Sequence, residues 1–242
     1  MHDKAEYLKT LQPDDEGRAV DRDSILKDCP TLDLDDILGP GECNITRKRL
    51  KELARLVGLN ASDEGAGEAL VRFYAALMLW GGENEGDLLV RNLSEALEMP
   101  SLAASLRQAA GAVTKYTIAN AYYQLGRRSI PGITPRIASA FVHFLWIALH
   151  PGTADAGNEV QALQDRNSSN TGTVTAETIV PQIIDLRAMG GVRRFGGDRA
   201  LWPTFISFQN GDSIYLDYCK CLGKWARELG CSTEQLEYFL RS

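Results

Sequence analysis

The residues best placed to do chemistry in this 242-residue chain lie in Ile130–Ala140 (IPGITPRIASA) and at Asp185. Pro131-Gly132 is a tight-turn pair that runs straight into an apolar helical run, Ile137–Leu149, and another helix-like run, Val113–Leu125, precedes it. Helix, glycine-containing hairpin and helix together make a backbone device for gripping a nucleic-acid phosphate. The N–H groups of the turn point at the anion, the following helix adds the positive end of its dipole, and a Cβ in place of glycine would block the approach. Gly132 meets that need, with Thr134 and Arg136 just beyond it. Arg127, Arg128, Arg187, Arg193 and Arg194 add a local concentration of positive charge in a chain whose net charge is −6. Asp185, in PQIID, reads by itself as a helix cap or an ion-pair partner of Arg187.

Other residue types carry weaker signals. Cys219-Lys-Cys221 has no histidine or second cysteine pair at zinc spacing, so buried or incidental thiols are the expectation. Asp33, Asp35 and Asp36 read as a solvated acidic segment rather than a metal site. His143 lies within an apolar helical run and reads as a satisfied core histidine. Trp80, Tyr116, Tyr122, Tyr123 and Trp146 fall at helical core spacing. Trp202, in the loop FGGDRALWP, does not. No metal and no cofactor are expected.

The elements that must position these groups are helical. Residues 1–44 are rich in Asp, Pro and Gly and read as a loosely ordered acidic lead-in with one short helix near Ser24–Asp28. Ile45–Leu59 is an amphipathic helix capped by Asn44 or Thr46. Its Arg47, Lys48, Arg49 and Lys51 form a basic outer face, either solvated or touching phosphates. Ser62-Asp63 opens a core helix that ends at Trp80 before Gly81-Gly82. Helical runs follow at Asp87–Leu97, Ser101–Ala110 and Lys115–Leu125. Residues 152–178 are long, polar and rich in Asn, Ser, Thr and Gly, and read as a flexible insertion. Tyr215–Leu229 is amphipathic with Gly230 as its stop. Ser232-Thr-Glu-Gln235 is a capping box that opens the last helix. No stretch shows sustained strand alternation. The fold class is therefore all-α, a multi-helix globular domain over 45–242 containing a helix-hairpin-helix motif.

Composition excludes several classes. Hydrophobic residues make up 44% and charged residues 24%, ordinary values for a globular chain long enough to bury a core. No apolar run reaches the roughly 18 residues of a membrane span, so no membrane partner is expected. The polar, acidic start MHDKAEYLKTLQPDDEGR is unlike a signal peptide, and the cytoplasm is the expected compartment. Five cysteines, an odd count, argue against a disulfide framework. An acidic total is less usual for a nucleic-acid binder, though a local basic face is compatible with it.

Ile130-Pro-Gly-Ile-Thr-Pro-Arg-Ile-Ala138 resembles the L-P-G-V-G-x-x-x-A hairpin of the helix-hairpin-helix base-excision DNA glycosylase superfamily. Pro181–Asp185 is similar to its apolar-apolar-Asp segment, and Val192–Gly196 falls where the V-x-R-x-x-x-R-L-G word often stands. The tail IIDLRAM…YLDYCKCLGKWARELG…LEYFL also resembles a bacterial group within or near that superfamily. The resemblance covers about residues 113–240.

It implies duplex DNA as partner, with Gly132, Thr134 and Arg136 on a backbone phosphate. Arg127, Arg128, Arg187, Arg193 and Arg194 would assist, Asp185 would be the catalytic carboxylate, and Trp202 would line the pocket for a flipped base. Thr134 stands where the pattern has its second glycine, and Pro135 removes one N–H donor. Arg136 stands at the lysine that attacks the sugar in bifunctional members. Arginine stays protonated and cannot form a Schiff base, so the implied enzyme is monofunctional. Only Cys219, Cys221 and Cys231 follow Asp185, too few for the four-cysteine iron–sulfur loop of some members. The alternative is a non-catalytic nucleic-acid- or protein-binding module that keeps the hairpin as scaffold.

Overall fold

The protein is described by a computed structural model that covers residues 2–59, 65–81, 87–115, 117–150, 179–184, 187–189 and 212–241. In chain order the elements are α1 (His2–Thr10), a 3-10 turn (Pro13–Asp15), β1 (Gly17–Ala19), α2 (Arg22–Asp28), α3 (Leu34–Leu38) and β2 (Asn44–Thr46). Then come α4 (Arg47–Leu59), α5 (Ala66–Gly81), α6 (Asp87–Leu97), α7 (Leu102–Thr114), α8 (Ile118–Arg127), α9 (Pro135–Leu149), α10 (Asp212–Leu229) and α11 (Thr233–Arg241). The all-α class holds. The two strands are three residues each, too short for an alternation to show, and pair antiparallel with Arg18 opposite Ile45.

Helix α9 is the centre. Every residue from Ile137 to Ile147 is buried, the pattern of a helix enclosed on all sides. Helices α4, α5, α7 and α8 pack around it. Phe141 meets Phe73 of α5 at 5.4 Å between ring centroids, and Phe144 meets Trp80 edge-on at 5.9 Å. Its start is set locally. Thr134 is the N-cap, its hydroxyl accepting from the Ile137 N–H at 3.3 Å. Pro135 occupies the first turn, where a missing N–H costs nothing.

The C-terminal pair follows its local signals closely. Gly230, at φ +63°, ends α10, with the Cys231 N–H on Ala226 O and the Gly230 N–H on Arg227 O. This is the glycine-terminated double bond of a Schellman end. The Ser232–Gln235 capping box closes reciprocally at 3.0 and 3.1 Å.

Two expectations are corrected. Residues 1–44 do not form a loose lead-in in the described part: Leu8, Ile25, Leu34, Ile37 and Leu38 are core residues. Asp21 and Asp33 cap α2 and α3, so the acidic residues nucleate short helices whose apolar sides are buried. The basic residues of α4 are also not one solvated or phosphate-facing stripe. Lys48 is exposed, but Arg47 is fully buried, and Arg49 donates to Ile37 O at 2.9 Å and to Asp36 O at 2.7 Å. Lys51 reaches Asp14 at 2.6 Å and Glu234 at 2.8 Å. The Ser62-Asp63 cap, the 152–178 insertion and Tyr116 lie outside the described residues.

Candidate functional site

Ile130 to Ile133 form the hairpin turn. The Ile133 N–H bonds Ile130 O at 3.1 Å, with Pro131 and then Gly132 at the centre and Gly132 at φ +75°. That is the type II arrangement, which requires a positive φ at its third residue. Crowding adds a second demand for glycine. A Cβ at 132 would stand 2.1 Å from Met78 Cε and 3.1 Å from Asn92 Cβ. The turn is also pinned from below by Tyr74, whose buried hydroxyl donates to Pro131 O at 2.7 Å. The hairpin is therefore rigid and seated on α5 and α6.

Arg136 lies in the first turn of α9, partly buried, its guanidinium 5.2 Å from the centre of the Trp80 ring. The same ring carries Arg47 at 5.4 Å. Such stacking suits an arginine's flat, weakly hydrated head. Arg127 and Arg128, at the end of α8, are exposed. Arg127 lies 4.7 Å over the Tyr123 ring and Arg128 donates to Gln108. Arg187 is exposed as well. Asp185, Arg193, Arg194 and Trp202 lie outside the described residues. The structure thus brings Gly132, Thr134 and Arg136 together on the hairpin, with Arg127 and Arg128 at the end of the preceding helix.

The segment leading to Asp185 is described, and it is unusual. Pro181–Ile184 is buried and belongs to no helix or strand, so its backbone polar groups need other partners. Side chains supply them. His143 Nδ1 lies 2.7 Å from Pro181 O. A carbonyl can only accept, so Nδ1 carries the proton. The Gln182 N–H donates to Cys219 Sγ at 3.3 Å, Tyr215 donates to Gln182 O at 3.1 Å, and Tyr218 donates to Ile183 O at 3.1 Å. The Ile184 N–H donates to Ser139 Oγ at 2.8 Å. Helices α9 and α10 therefore hold the segment from two sides. Burial pushes the Cys219 thiol up to about 12, with the Gln182 N–H and the Tyr215 hydroxyl pulling the other way. It stays protonated as part of this clamp. Among the described residues no group of three or more His, Cys, Asp or Glu could hold a metal ion.

Below the clamp sits a buried ion cluster. Arg47 Nε is 2.8 Å from Glu16, Nη2 is 3.0 Å from Glu237 and Nη1 is 3.6 Å from Glu234. Burial opposes its charge, but Glu237, Glu16 and Glu234 outweigh burial and hold its pKa above the usual value. Glu234 is raised by burial and lowered by its bond to His143 and by the charges of His143, Lys51 and Arg47. The net result lies well below the usual carboxylate range. His143 Nε2 stands 3.4 Å from Glu234 and so joins the cluster to the clamp.

Ser139, Tyr215 and Tyr218 are functional-site candidates that the sequence reading did not single out. A signal existed. Ser139 and His143 are polar residues one turn apart in an otherwise apolar helix, and Tyr215, Tyr218 and Cys219 share one face of α10.

The described body is helical, with a Pro-Gly turn joining α8 to α9. The model of the family described as "Putative 8-oxoguanine DNA glycosylase OGG-like protein" matches residues 11–156, more than half of the chain, and the chain belongs to that family. No curated protein matches it, and no solved structure does. The protein is thus DNA glycosylase-like, consistent with the helix-hairpin-helix glycosylase superfamily, and the family points to DNA as its partner. The match takes in the hairpin and α9 but ends before Pro181. It meets the sequence resemblance, drawn over 113–240, only between 113 and 156. No described helix is long and apolar enough to cross a membrane.

Proposed function

We propose that the protein is a monofunctional DNA glycosylase that removes a flipped, oxidised purine of the 8-oxoguanine kind from duplex DNA. In this reading Gly132, Thr134 and Arg136 face a backbone phosphate, with Arg127, Arg128, Arg187, Arg193 and Arg194 alongside. Asp185 stabilises the positive charge that develops on the sugar as the N-glycosidic bond breaks, and a water completes the hydrolysis. Trp202 is the proposed stacking partner for the base. Arg136 cannot attack the sugar, so the strand is left intact at an abasic site.

The observation that carries this reading is the course of Pro181–Ile184. Its first carbonyl meets His143 and its last N–H meets Ser139, one turn nearer the start of α9. The chain over 181–184 therefore runs back along α9 in the direction of the hairpin, which supports a role for the carboxylate that follows it in the sequence. The test is single-turnover release of free base from a duplex carrying 8-oxoguanine, comparing wild type with Asp185→Asn. Wild type should release base, and the variant should be slower by at least about 100-fold, the range of a lost acid–base or charge-stabilising group. No release from this or other oxidised purines would reject the enzyme reading, and loss of salt-sensitive duplex binding as well would reject the DNA reading.

A second reading keeps the hairpin only as scaffold of a nucleic-acid- or protein-binding module. It is favoured by the packing of Gly132, which Met78 and Asn92 demand whether or not a phosphate ever approaches, and by the N–H missing at Pro135. Base release separates the two.

A further inference from the structure

Residues 99–150 contain no aspartate or glutamate, although the chain holds 32 of them. That stretch takes in α7, α8, the hairpin and α9. Helix α9 is enclosed, so the surface without acids is the outer side of α7 and α8. On α7 the exposed Ala104, Arg107, Gln108, Thr114 and Lys115 recur at helical spacing and share one face. On α8 the exposed Asn120 and Arg127 do the same, with Arg128 just beyond. Arg128 donates to Gln108 and joins the two faces. Surface cations on other helices pair within the helix, Arg72 with Glu68, Arg91 with Glu95 and Lys224 with Glu228. Arg107, Lys115, Arg127 and Arg128 have no carboxylate within ion-pair distance among the described residues.

Gly111 stands in the middle of the α7 face, one turn from Arg107 and one turn from Lys115. A glycine inside a helix weakens it relative to alanine. Gly67 and Gly132 answer to neighbours within the protein: a Cβ at 67 would lie 2.7 Å from the Arg107 guanidinium, and one at 132 would lie 2.1 Å from Met78. A Cβ at 111 meets nothing within 4 Å among the described residues. The fold does not require this glycine, and its missing side chain leaves a flat bed between two cations. We propose that this face of α7 and α8 is a second seat for the DNA backbone, continuous with the hairpin. Phosphates of one strand lie over Gly111 between Arg107 and Lys115, with Gln108 and Arg128 at the hairpin side. About 12 Å of helix separates Arg107 from Lys115, the axial length of roughly three phosphate steps at about 3.4 Å each. The charge fits a polyanion, and α8 leads straight into the hairpin. The proposal rests on the DNA-binding reading above but not on its chemistry.

The test measures binding of an undamaged duplex by the full chain across a series of salt concentrations. Arg107→Gln combined with Lys115→Gln should make the log–log salt slope shallower by about 0.9 for each phosphate released. Lys224→Gln, on α10, removes an ammonium that stands 3.8 Å from Glu228, and should leave the slope unchanged. Gly111→Leu alters no charge. It should weaken binding at least about tenfold, while its melting temperature equals or exceeds that of wild type, because leucine is the better helix former. An unchanged slope in the double variant overturns the proposal, as does a slope change of equal size in Lys224→Gln. Wild-type affinity in Gly111→Leu also overturns it. If Arg136→Gln weakens binding of the same duplex in that case, the hairpin reading stands without the second seat. Absence of salt-sensitive binding by wild type overturns both.

Discussion

Arg47, at the start of α4, is fully buried among Glu16, Glu234 and Glu237, whereas Arg127 and Arg128, at the end of α8, are exposed beside Tyr123 and Gln108. Both places carry consecutive basic residues next to an apolar helix. The difference lies in what the rest of the chain brings to them. The N-terminal segment and α11 converge on α4 with Glu16, Asp14, Glu234 and Glu237, and its charges become internal tethers. The hairpin flank leaves its arginines facing outward, where a phosphate can reach them. Basic composition in a helix therefore does not by itself define a nucleic-acid surface. The location of the matching carboxylates decides it.

The contrast can be broken at either end. Arg47→Met would remove the nearer guanidinium partner of the buried Glu237 carboxylate and leave it with Arg241 at 3.5 Å, and removing one partner of a buried pair costs roughly 3–5 kcal/mol. Urea unfolding should show a loss of that size, and stability near that of wild type would mean the cluster is not a tether. Gly132→Ala tests how rigidly the hairpin is seated. It forces a side chain into a left-handed backbone against Met78 and Asn92, and a strained residue of that kind costs about 1–3 kcal/mol. The loss should appear without DNA, and an unchanged melting temperature would contradict the packed turn.

Acid should expose the cluster next. Glu234 has a folded pKa below its unfolded value, so its contribution is fully present above the ordinary glutamate value of about 4.3. It is lost as the pH falls from there toward the lower folded value. Stability followed across that range should fall more steeply in wild type than in Glu234→Gln, and equal slopes would contradict the assignment. The smallest stability effect belongs to the exposed end. Arg127→Ala with Arg128→Ala should change unfolding by no more than about 0.5 kcal/mol per site. The salt dependence of duplex binding should nevertheless become shallower, by about 0.9 in log–log slope for each phosphate that is no longer neutralised. An unchanged slope would remove these arginines from the DNA face.

What the sequence made legible was local. The Ser232–Gln235 capping box, the Gly230 stop, α6 at Asp87–Leu97 and the Pro131-Gly132 turn depend on neighbours within a few residues, so residue type and spacing are enough. What stayed hidden was long-range. Nothing near Arg47 announces Glu237, and nothing near Pro181 announces Ser139 or Tyr218, because those pairs form only when distant helices pack. The same limit explains residues 1–44. Their aspartates read as solvated charge, while their value as caps for short helices with buried apolar sides depends on a body for them to pack against.

The central claim is a hydrolytic DNA glycosylase without a Schiff-base lysine, and the state of the DNA strand after reaction tests it most directly. A duplex labelled on the strand carrying 8-oxoguanine is incubated with excess wild-type protein, and half of each sample is then heated in alkali. The account predicts an intact strand before alkali and cleavage at the lesion after it, the mark of an abasic site formed without lyase chemistry. Cleavage before alkali, a borohydride-trapped protein–DNA adduct, or an intact strand in both halves would contradict it.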